Sequence, residues 1–352
     1  MQVSPLIFEP IYKPKIWGGD RIFAYFGRTR TTTEPIGESW ELADLEADQS
    51  RVRIGPHCGR TLGELRADWG RDLMGDVPLF EGRFPLLIKF LDAQMSLSVQ
   101  VHPTAAVARK LGGSVRVKNE AWYVLAAEHG GVIYHGLQPG VTAEVFREAM
   151  LGRKKGSEAF CRDGPEGASH KRLLTPFSPE GVLRQVPVHA GQCYYLPSGT
   201  VHALGAGVLV AEIQTPSDVT YRTYDWGRID PVTGEPRPLH LEAAMECIDF
   251  AGPQPEPTQP PMGISAVSAR IARVAACESF AIDRVEMRAG ARRQVPGGRP
   301  IVWIVLQGTG RIEGTTPIAF TSGDVILLPA ALTEVHAYIE SPTAYLEVTV
   351  PR

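Results

Sequence analysis

Short apolar runs, each ended by glycine or proline, constrain the fold of this 352-residue chain more than any other feature. The 36 glycines and 29 prolines recur throughout and interrupt runs such as PLLIKFLDA, LSVQVHP, AWYVLAA, GQCYYLP, GVLVAEIQT and DVILLPA. Runs of this length, closely spaced and bounded by turns, are typical of β-sandwiches and β-barrels. The sequence therefore predicts a mainly β protein.

Helical signals are few and predict helices that decorate the β scaffold. Thr61 and Glu64 form a capping-box pattern at the start of TLGELRADW. Three further segments begin at a capping or boundary residue and are predicted to be helical: TAAVARKL from Thr104, TAEVFREAMLGRKKG from Thr142 and HLEAAMECI from His240.

A proline-rich segment, residues 251–263 (AGPQPEPTQPPMG), marks the clearest boundary in the chain. Its five prolines can neither extend a helix nor join a central strand, so this segment is predicted to be a linker. The prediction gives a first domain over residues 1–250 and a second over residues 264–352.

A shared turn pattern indicates that the two domains are related. Residues 191–197 and 323–329 both read G-x5-P, and a histidine follows each, His202 after the first and His336 after the second. Two related barrels, one behind the other, are the simplest interpretation. Turns of this kind are also common in unrelated β proteins.

Charge and cysteine content exclude several classes of function. With 36 basic and 39 acidic side chains the formal charge is only -3, and no cluster of Lys and Arg would attract nucleic acid. No export signal or membrane-spanning stretch is apparent, which predicts a cytoplasmic protein without a membrane partner. The five cysteines are widely spaced and never form C-x-x-C, so histidine and oxygen ligands would have to hold any metal.

Two short segments bring candidate metal ligands onto shared strand faces. Gln100 and His102 are two residues apart in LSVQVHP, and Lys118 and Glu120 are two apart in KNEAWY. Antiparallel pairing of these two strands would bring the four groups together, and a Pro-Ser-Gly turn would aim His202 towards them. Two imidazoles, a carboxylate and an amide oxygen suit zinc and leave positions open for substrate. A single strand histidine is, however, far more often structural than a ligand.

The same residues fall within motifs of a known family. Residues 191–202 fit G-x5-P-x-G-x2-H, which resembles the second motif of the cupin superfamily, and Gln100, His102 and Glu120 stand where cupins carry the first motif. A collinear series resembles the type I mannose-6-phosphate isomerases, in their short bacterial form: WGG, GESWE, PLLIKFLDA, LSVQVHP, KNEAWY, PSGTVHA and AEIQTPSDVTYRTYDWGR. Asn119 replaces the proline of the KPE motif in longer relatives, and their helical insertion is mostly missing.

The resemblance implies two cupin (jelly-roll) β-barrel domains and a reversible conversion of mannose 6-phosphate to fructose 6-phosphate through an enediolate. It implies one zinc ion per chain and a sugar phosphate as the partner. The implied metal ligands are Gln100, His102, Glu120 and His202. The implied catalytic residues are Arg222, Lys118, Glu212 and Asp218, with the proton carrier left open among the last three. The implied substrate-binding residues are Lys89, Ser98, Glu38 and Trp17.

Other interpretations remain open on the sequence alone. A cupin barrel could hold iron for an oxygenase, or could sense a sugar phosphate without catalysis. Lys89 could reach solvent from an apolar strand, Trp17 could be core, and Arg222 could be a surface partner of Asp225. The preferred sugar phosphate and the oligomeric state are not encoded in any motif.

Overall fold

The computed structural model describes residues 2–112, 115–152, 178–250, 264–265, 268–314 and 316–351. The predicted linker, residues 251–263, lies outside the described residues, as do Cys161 and His170. Strands dominate the described part of the chain, which confirms the predicted mainly β class. None of the described helices is both long and apolar enough to cross a membrane.

Two facing antiparallel sheets form a first sandwich. The larger sheet contains, in spatial order, β2 (Ile11–Gly19), β3 (Ile36–Leu42), β4 (Leu87–Ala93), β11 (Val208–Gln214), β6 (Glu120–Ala127) and β9 (Cys193–Leu196). The smaller sheet contains β12 (Tyr221–Tyr224), β5 (Val99–Val101), β10 (His202–Leu204), β7 (Val132–Leu137) and β8 (Leu183–Pro187). Leu91, Trp122 and Val210 of the larger sheet share one apolar cluster with Ile133 and Leu204 of the smaller.

A second sandwich is built in the same way from the C-terminal part of the chain together with one strand from the N-terminal segment. Its larger sheet contains β1 (Leu6–Ile7), β20 (Val325–Leu328), β17 (Ile301–Gln307), β22 (Thr343–Thr349), β15 (Ala281–Met287), β14 (Ala269–Ala276) and β13 (Ile264–Ser265). Its smaller sheet contains β16 (Arg292–Gln294), β21 (His336–Ile339), β18 (Thr309–Glu313) and β19 (Ile318–Thr321).

The two sandwiches repeat one another strand by strand. Strands β13 to β22 follow the chain order of β2 to β11, and the spatial order within both sheets is the same. Only β1 and β12 among the described strands stand outside this repeat. The pairing of β1 with β20 places Leu6 opposite Leu327, so the N-terminal segment belongs to the second sandwich.

The larger sheets of the two sandwiches pack against each other. Phe90 and Ala211 of the first sandwich share an apolar cluster with Ile282, Val302 and Leu346 of the second. The sheets therefore stack in four layers, with the two smaller sheets on the outside. The outer face of the first small sheet is covered by helices, through Phe146, Ala149 and Ala244.

The four predicted helices are present, and three short ones had not been predicted. The predicted ones are α2 (Leu62–Trp69), α4 (Ala105–Leu111), α5 (Ala143–Met150) and α7 (Leu241–Cys247). The others are α1 (Arg21–Phe26), α3 (Arg71–Met74) and α6 (Pro179–Val182). The capping box of α2 is confirmed, since Thr61 and Glu64 exchange hydrogen bonds of 3.2 and 2.7 Å.

Two expectations about the strands were wrong. The described strands form four open sheets rather than closed barrels, because the edge strands of facing sheets do not pair with each other. The predicted pairing of the strands around Gln100 and Glu120 is also absent. Strand β5 pairs with β10 and β12, whereas β6 pairs with β9 and β11 in the opposite sheet. The candidate ligands therefore meet across the interior of a sandwich.

Candidate active site and metal centre

A pocket of about 400 Å³ opens between the two sheets of the first sandwich. Both sheets contribute to its wall, and most of the side chains are charged or aromatic. The residues are Lys13, Lys15, Trp17, Glu38, Trp40, Lys89, Leu91, Leu97, Ser98, Gln100, Lys118, Glu212, Asp218, Thr220, Arg222 and Arg237.

Three candidate metal ligands meet in the interior beside this pocket. His102, Glu120 and His202 are all buried, and one donor atom from each lies within 4.8 Å of the other two. His102 Nε2 is 3.3 Å from Glu120 Oε2, and His202 Nε2 is 3.1 Å from Glu120 Oε1. In the described part of the chain this is the one group of three or more His, Cys, Asp or Glu side chains with such spacing.

Backbone contacts fix the orientation of both imidazoles. The Nδ1 atoms of His102 and His202 lie 3.0 Å from the carbonyl oxygen of Val219 and 2.8 Å from that of Thr200, respectively. Because a carbonyl only accepts, each Nδ1 carries the proton and each Nε2 presents a lone pair towards Glu120. Hydrogen bonds of this kind orient metal-binding histidines.

Gln100 completes the set from the neighbouring strand. It lies directly opposite His202, and its Nε2 is 3.2 Å from His202 Nε2. A half-turn of the amide would place Oε1 where Nε2 now lies and direct an oxygen towards the same space.

Several buried polar atoms at this cluster lack a hydrogen bond of good geometry, although Lys118 forms an ion pair with Glu120 Oε2. Among the described residues, His102 Nε2 and both oxygens of Glu120 have no hydrogen-bond partner of good geometry. Unpaired buried polar groups are costly, and a cation bound between them would satisfy all three atoms. The donor set of imidazole nitrogen, carboxylate and amide oxygen fits zinc.

The surroundings of the cluster favour the protonation states that bind metal, namely a neutral imidazole and an ionised carboxylate. Burial and the nearby charge of Lys118 lower the pKa of His102 to about 3, so the imidazole is neutral at neutral pH. Burial alone would raise the pKa of Glu120, but the charge of Lys118 holds that pKa well below its ordinary value. Lys118 Nζ lies 2.8 Å from Glu120 Oε2, as expected for two residues on one face.

Two carboxylates in the pocket share one lysine. Lys89 Nζ is 3.2 Å from Glu212 Oε2 and 3.9 Å from Glu38 Oε2. Tryptophan N–H groups hold both carboxylates, Trp122 donating to Glu212 over 3.0 Å and Trp40 to Glu38 over 2.7 Å. Lys89 is only 6% exposed, so it does not extend to solvent.

Arg222 lies beside the candidate metal ligands, and no carboxylate of the described residues forms an ion pair with its guanidinium. It pairs directly with Gln100 across β12 and β5, and its Nη1 donates to Pro238 O over 2.9 Å. Its Nε is buried without a partner among the described residues. Asp225 forms its hydrogen-bonded ion pairs with Arg228 and Arg237, and it acts on Arg222 only by a longer-range attraction. Burial and repulsion by Arg237 lower the pKa of Arg222.

The remaining candidates line the same pocket at different depths. Glu212 and Ser98 are buried and Trp17 is 4% exposed, where it contributes both to the core and to the wall. Asp218 is exposed at the mouth.

Sequence reasoning had not selected two leucines of the pocket wall, Leu91 and Leu97, or five polar or aromatic residues, namely Lys13, Lys15, Trp40, Thr220 and Arg237. The signal for the two lysines was present, since they alternate with Trp17 on strand β2.

The equivalent interior of the second sandwich lacks these ligands. Strand register makes Arg293, Val295, Ile301 and Ala337 the equivalents of Gln100, His102, Glu120 and His202. The last three of these residues belong to its apolar core. His336 lies one position away from Ala337 and is half-buried.

Comparisons with known proteins identify the family of this chain. A model of the phosphomannose isomerase type I catalytic domain matches residues 6–133. Mannose-6-phosphate isomerase ManA from Bacillus subtilis (strain 168) is 33% identical over 98% of this chain and 100% of the relative. This chain belongs to the type I phosphomannose isomerase family.

Solved structures of phosphomannose isomerases share the whole fold. The crystal structure of the mannose 6-phosphate isomerase from Bacillus subtilis matches with a TM-score of 0.82 and 28% identity, covering 99% of this chain and 100% of that one. A zinc-bound mannose 6-phosphate isomerase matches with a TM-score of 0.71 and 15% identity, over 99% of this chain and 100% of the other. The family resemblance predicted from the motifs is thus confirmed.

Proposed function

We propose that this protein is a zinc-dependent isomerase that interconverts mannose 6-phosphate and fructose 6-phosphate. One observation carries the proposal: a buried His102, Glu120 and His202 cluster, with donor atoms that lack good hydrogen bonds, adjoins a pocket rich in charged side chains. Membership of the type I phosphomannose isomerase family supplies the substrate class.

One zinc ion per chain would be held by Gln100, His102, Glu120 and His202. The set contains no thiolate and leaves room for substrate oxygens, as a catalytic rather than structural zinc site requires. When bound, the ion would stabilise negative charge on the oxygens attached to C1 and C2 of the open-chain sugar.

Glu212 is the proposed proton carrier between C1 and C2. Lys118 is held against Glu120, and Asp218 lies exposed at the mouth, whereas Glu212 is buried and lines the pocket. Its carboxylate would take the proton from C2 and return it to C1 through an enediolate. A hydroxyl proton passes from the C2 oxygen to the C1 oxygen, so the conversion needs no oxidant or reductant.

Arg222 is proposed to stabilise the charge of the enediolate. Arg222 lies directly opposite Gln100 on the neighbouring strand. Its guanidinium donates to a backbone carbonyl rather than to a carboxylate. A fixed cation at the place where charge develops lowers the barrier without reorganisation. Lys118, in contact with Glu120, adds a second positive charge to this end of the pocket.

The phosphate group would be bound among the cations that face the pocket. Lys89, with Ser98 as a hydroxyl donor, is the proposed binding group. Glu38 and Trp17 would then contact the sugar hydroxyls and carbons from the wall formed by β2 and β3. Lys15, which lies 3.2 Å from Glu38 Oε1, places a further cation near this wall.

Each sandwich is proposed to be one cupin jelly roll, and residues 251–263 are proposed to link the two. Only the first sandwich is proposed to bind metal. In the second, an arginine and three apolar side chains occupy the equivalent positions. The cytoplasmic location stays a prediction.

A turnover assay with mannose 6-phosphate tests this function against its competitors. We expect fructose 6-phosphate to form without oxygen consumption. Oxygen uptake without isomerisation would favour an iron oxygenase. Tight binding of the sugar phosphate with no turnover by the zinc-loaded protein would favour a sensor.

A further inference from the structure

The Glu212 carboxylate is fixed by one contact to each of its oxygens. Trp122 Nε1 donates to Oε1 over 3.0 Å, and Lys89 Nζ lies 3.2 Å from Oε2. Trp122 and Glu212 lie directly opposite each other on β6 and β11, and both are at most 3% exposed. The pairing of the two strands therefore places the indole N–H beside the carboxylate.

The second sandwich contains the same pair at the equivalent position. Trp303 lies directly opposite Glu347 on β17 and β22, and its Nε1 donates to Glu347 Oε2 over 3.0 Å. The tryptophan–glutamate pair is thus a repeated part of the framework.

The cation that contacts this glutamate differs between the two copies. In the second sandwich Arg293, from the strand position equivalent to Gln100, donates to Glu347 Oε1 over 2.8 Å and fills the interior from the facing sheet. In the first sandwich the cation is Lys89, on the same sheet as Glu212, directly opposite it. The side of Glu212 that faces Gln100 is therefore left open as the pocket.

We propose that Trp122 is a positioning residue that holds the Glu212 carboxylate in the orientation needed for proton transfer. This inference rests on the proposed function. A glutamate side chain has three rotatable bonds, and a base that departs from the reactive orientation loses rate even when its chemistry is intact. Trp122 does not line the pocket, so it acts through Glu212 and not on the substrate.

Trp122→Phe tests the inference because it removes the N–H and keeps an aromatic ring. The ring matters, since the Trp122 indole packs edge-on against His202 with centroids 5.4 Å apart. We expect kcat for mannose 6-phosphate to fall about tenfold to 100-fold, with little change in KM and with unchanged zinc content.

Trp303→Phe is the matched control. It removes the same kind of hydrogen bond from the equivalent pair, which lies in the second sandwich and does not line the pocket. We expect a loss of thermal stability similar to that of Trp122→Phe and no change in kcat. This comparison separates the loss of positioning from the general cost of leaving a buried carboxylate with one donor fewer.

A double-mutant cycle with Glu212→Gln shows whether Trp122 acts through Glu212. We expect Trp122→Phe to have almost no further effect on kcat once the carboxylate is gone. Full additivity of the two losses would overturn the inference, as would unchanged kcat in Trp122→Phe or loss of its zinc. Absence of isomerisation by the zinc-loaded wild-type protein would instead refute the proposed function.

Discussion

Arg222 lies directly opposite Gln100 on neighbouring strands, and Gln100 in turn lies opposite His202. One row across β12, β5 and β10 thus carries a fixed cation, an amide and an imidazole. The same strand register that assembles two of the proposed metal ligands also places the guanidinium next to them. The proposed source of charge stabilisation is therefore built into the sheet and does not depend on a mobile loop.

Arg222→Ala should reduce kcat about 100- to 1,000-fold with a smaller effect on KM, because the guanidinium is proposed to stabilise charge that appears only in the transition state. Arg222→Lys keeps the charge but loses the planar fork and should recover only part of the rate. Zinc content should stay at the wild-type value in both variants. Steady-state kinetics with mannose 6-phosphate and metal analysis provide the measurements.

Arg228→Ala is the control for Arg222, since Arg228 binds Asp225 from the same segment without lining the pocket. We expect its kcat to stay close to that of the wild type. A rise in KM with unchanged kcat for Arg222→Ala would mean that the guanidinium only binds the phosphate. No change in either parameter would remove Arg222 from the proposed mechanism.

His202→Ala should lower zinc content and activity together, because the imidazole supplies one of the four proposed ligands. His336→Ala is the matched control, as it removes the histidine that follows the same turn pattern in the second sandwich. We expect His336→Ala to keep one zinc per chain and full activity. Elemental analysis after dialysis measures the zinc content, and the mannose 6-phosphate assay measures the activity. Loss of zinc from the His336 variant would contradict a single site in the first sandwich.

Arg293→Ala should destabilise the protein without affecting catalysis. Arg293 is the cation that contacts Glu347, and Glu347 is only 6% exposed. Removing one partner of a buried ion pair leaves an uncompensated charge and costs roughly 3–5 kcal/mol. Denaturant titration should show this loss of unfolding free energy, while the kcat of the folded variant stays at the wild-type value. A large fall in kcat at full occupancy of the native state would give the second sandwich a part in catalysis.

Local signals in the sequence were sufficient for much of the fold. Turn-bounded runs gave the β class, and threonine capping positions at Thr61, Thr104 and Thr142 gave the starts of three helices, each seen with its side chain accepting a backbone N–H. These features depend on neighbouring residues only, so one sequence is enough to find them.

The pairing of the strands, and the sheet face on which a given side chain lies, could not be predicted in the same way. Both depend on residues far apart in the chain. The alternation in LSVQVHP correctly gave Gln100 and His102 a shared direction, but not that they face Glu120 from another sheet. The turn pattern made His336 look equivalent to His202. The longer connection after Pro329 places Ala337 there instead, and a one-residue shift turns a side chain to the opposite face.

The pocket residues that were missed have a similar explanation. Lys13 and Lys15 lie on an edge strand almost 200 residues before Glu212, and only the sheet order brings them to one cavity. Trp40 lies within the GESWE motif, where only Glu38 was given a role, yet it donates to Glu38 and lies beneath Lys89, whose Nζ is 4.9 Å from the ring centroid.

The most direct test of a catalytic zinc at His102, Glu120 and His202 is a single titration of activity against bound metal. The purified protein is stripped with a chelator, zinc is returned in steps, and mannose 6-phosphate turnover is measured at each step together with bound zinc. We expect no turnover in the stripped protein and a linear rise that ends at one zinc per chain. Full turnover by protein shown to contain no metal would contradict the proposed site.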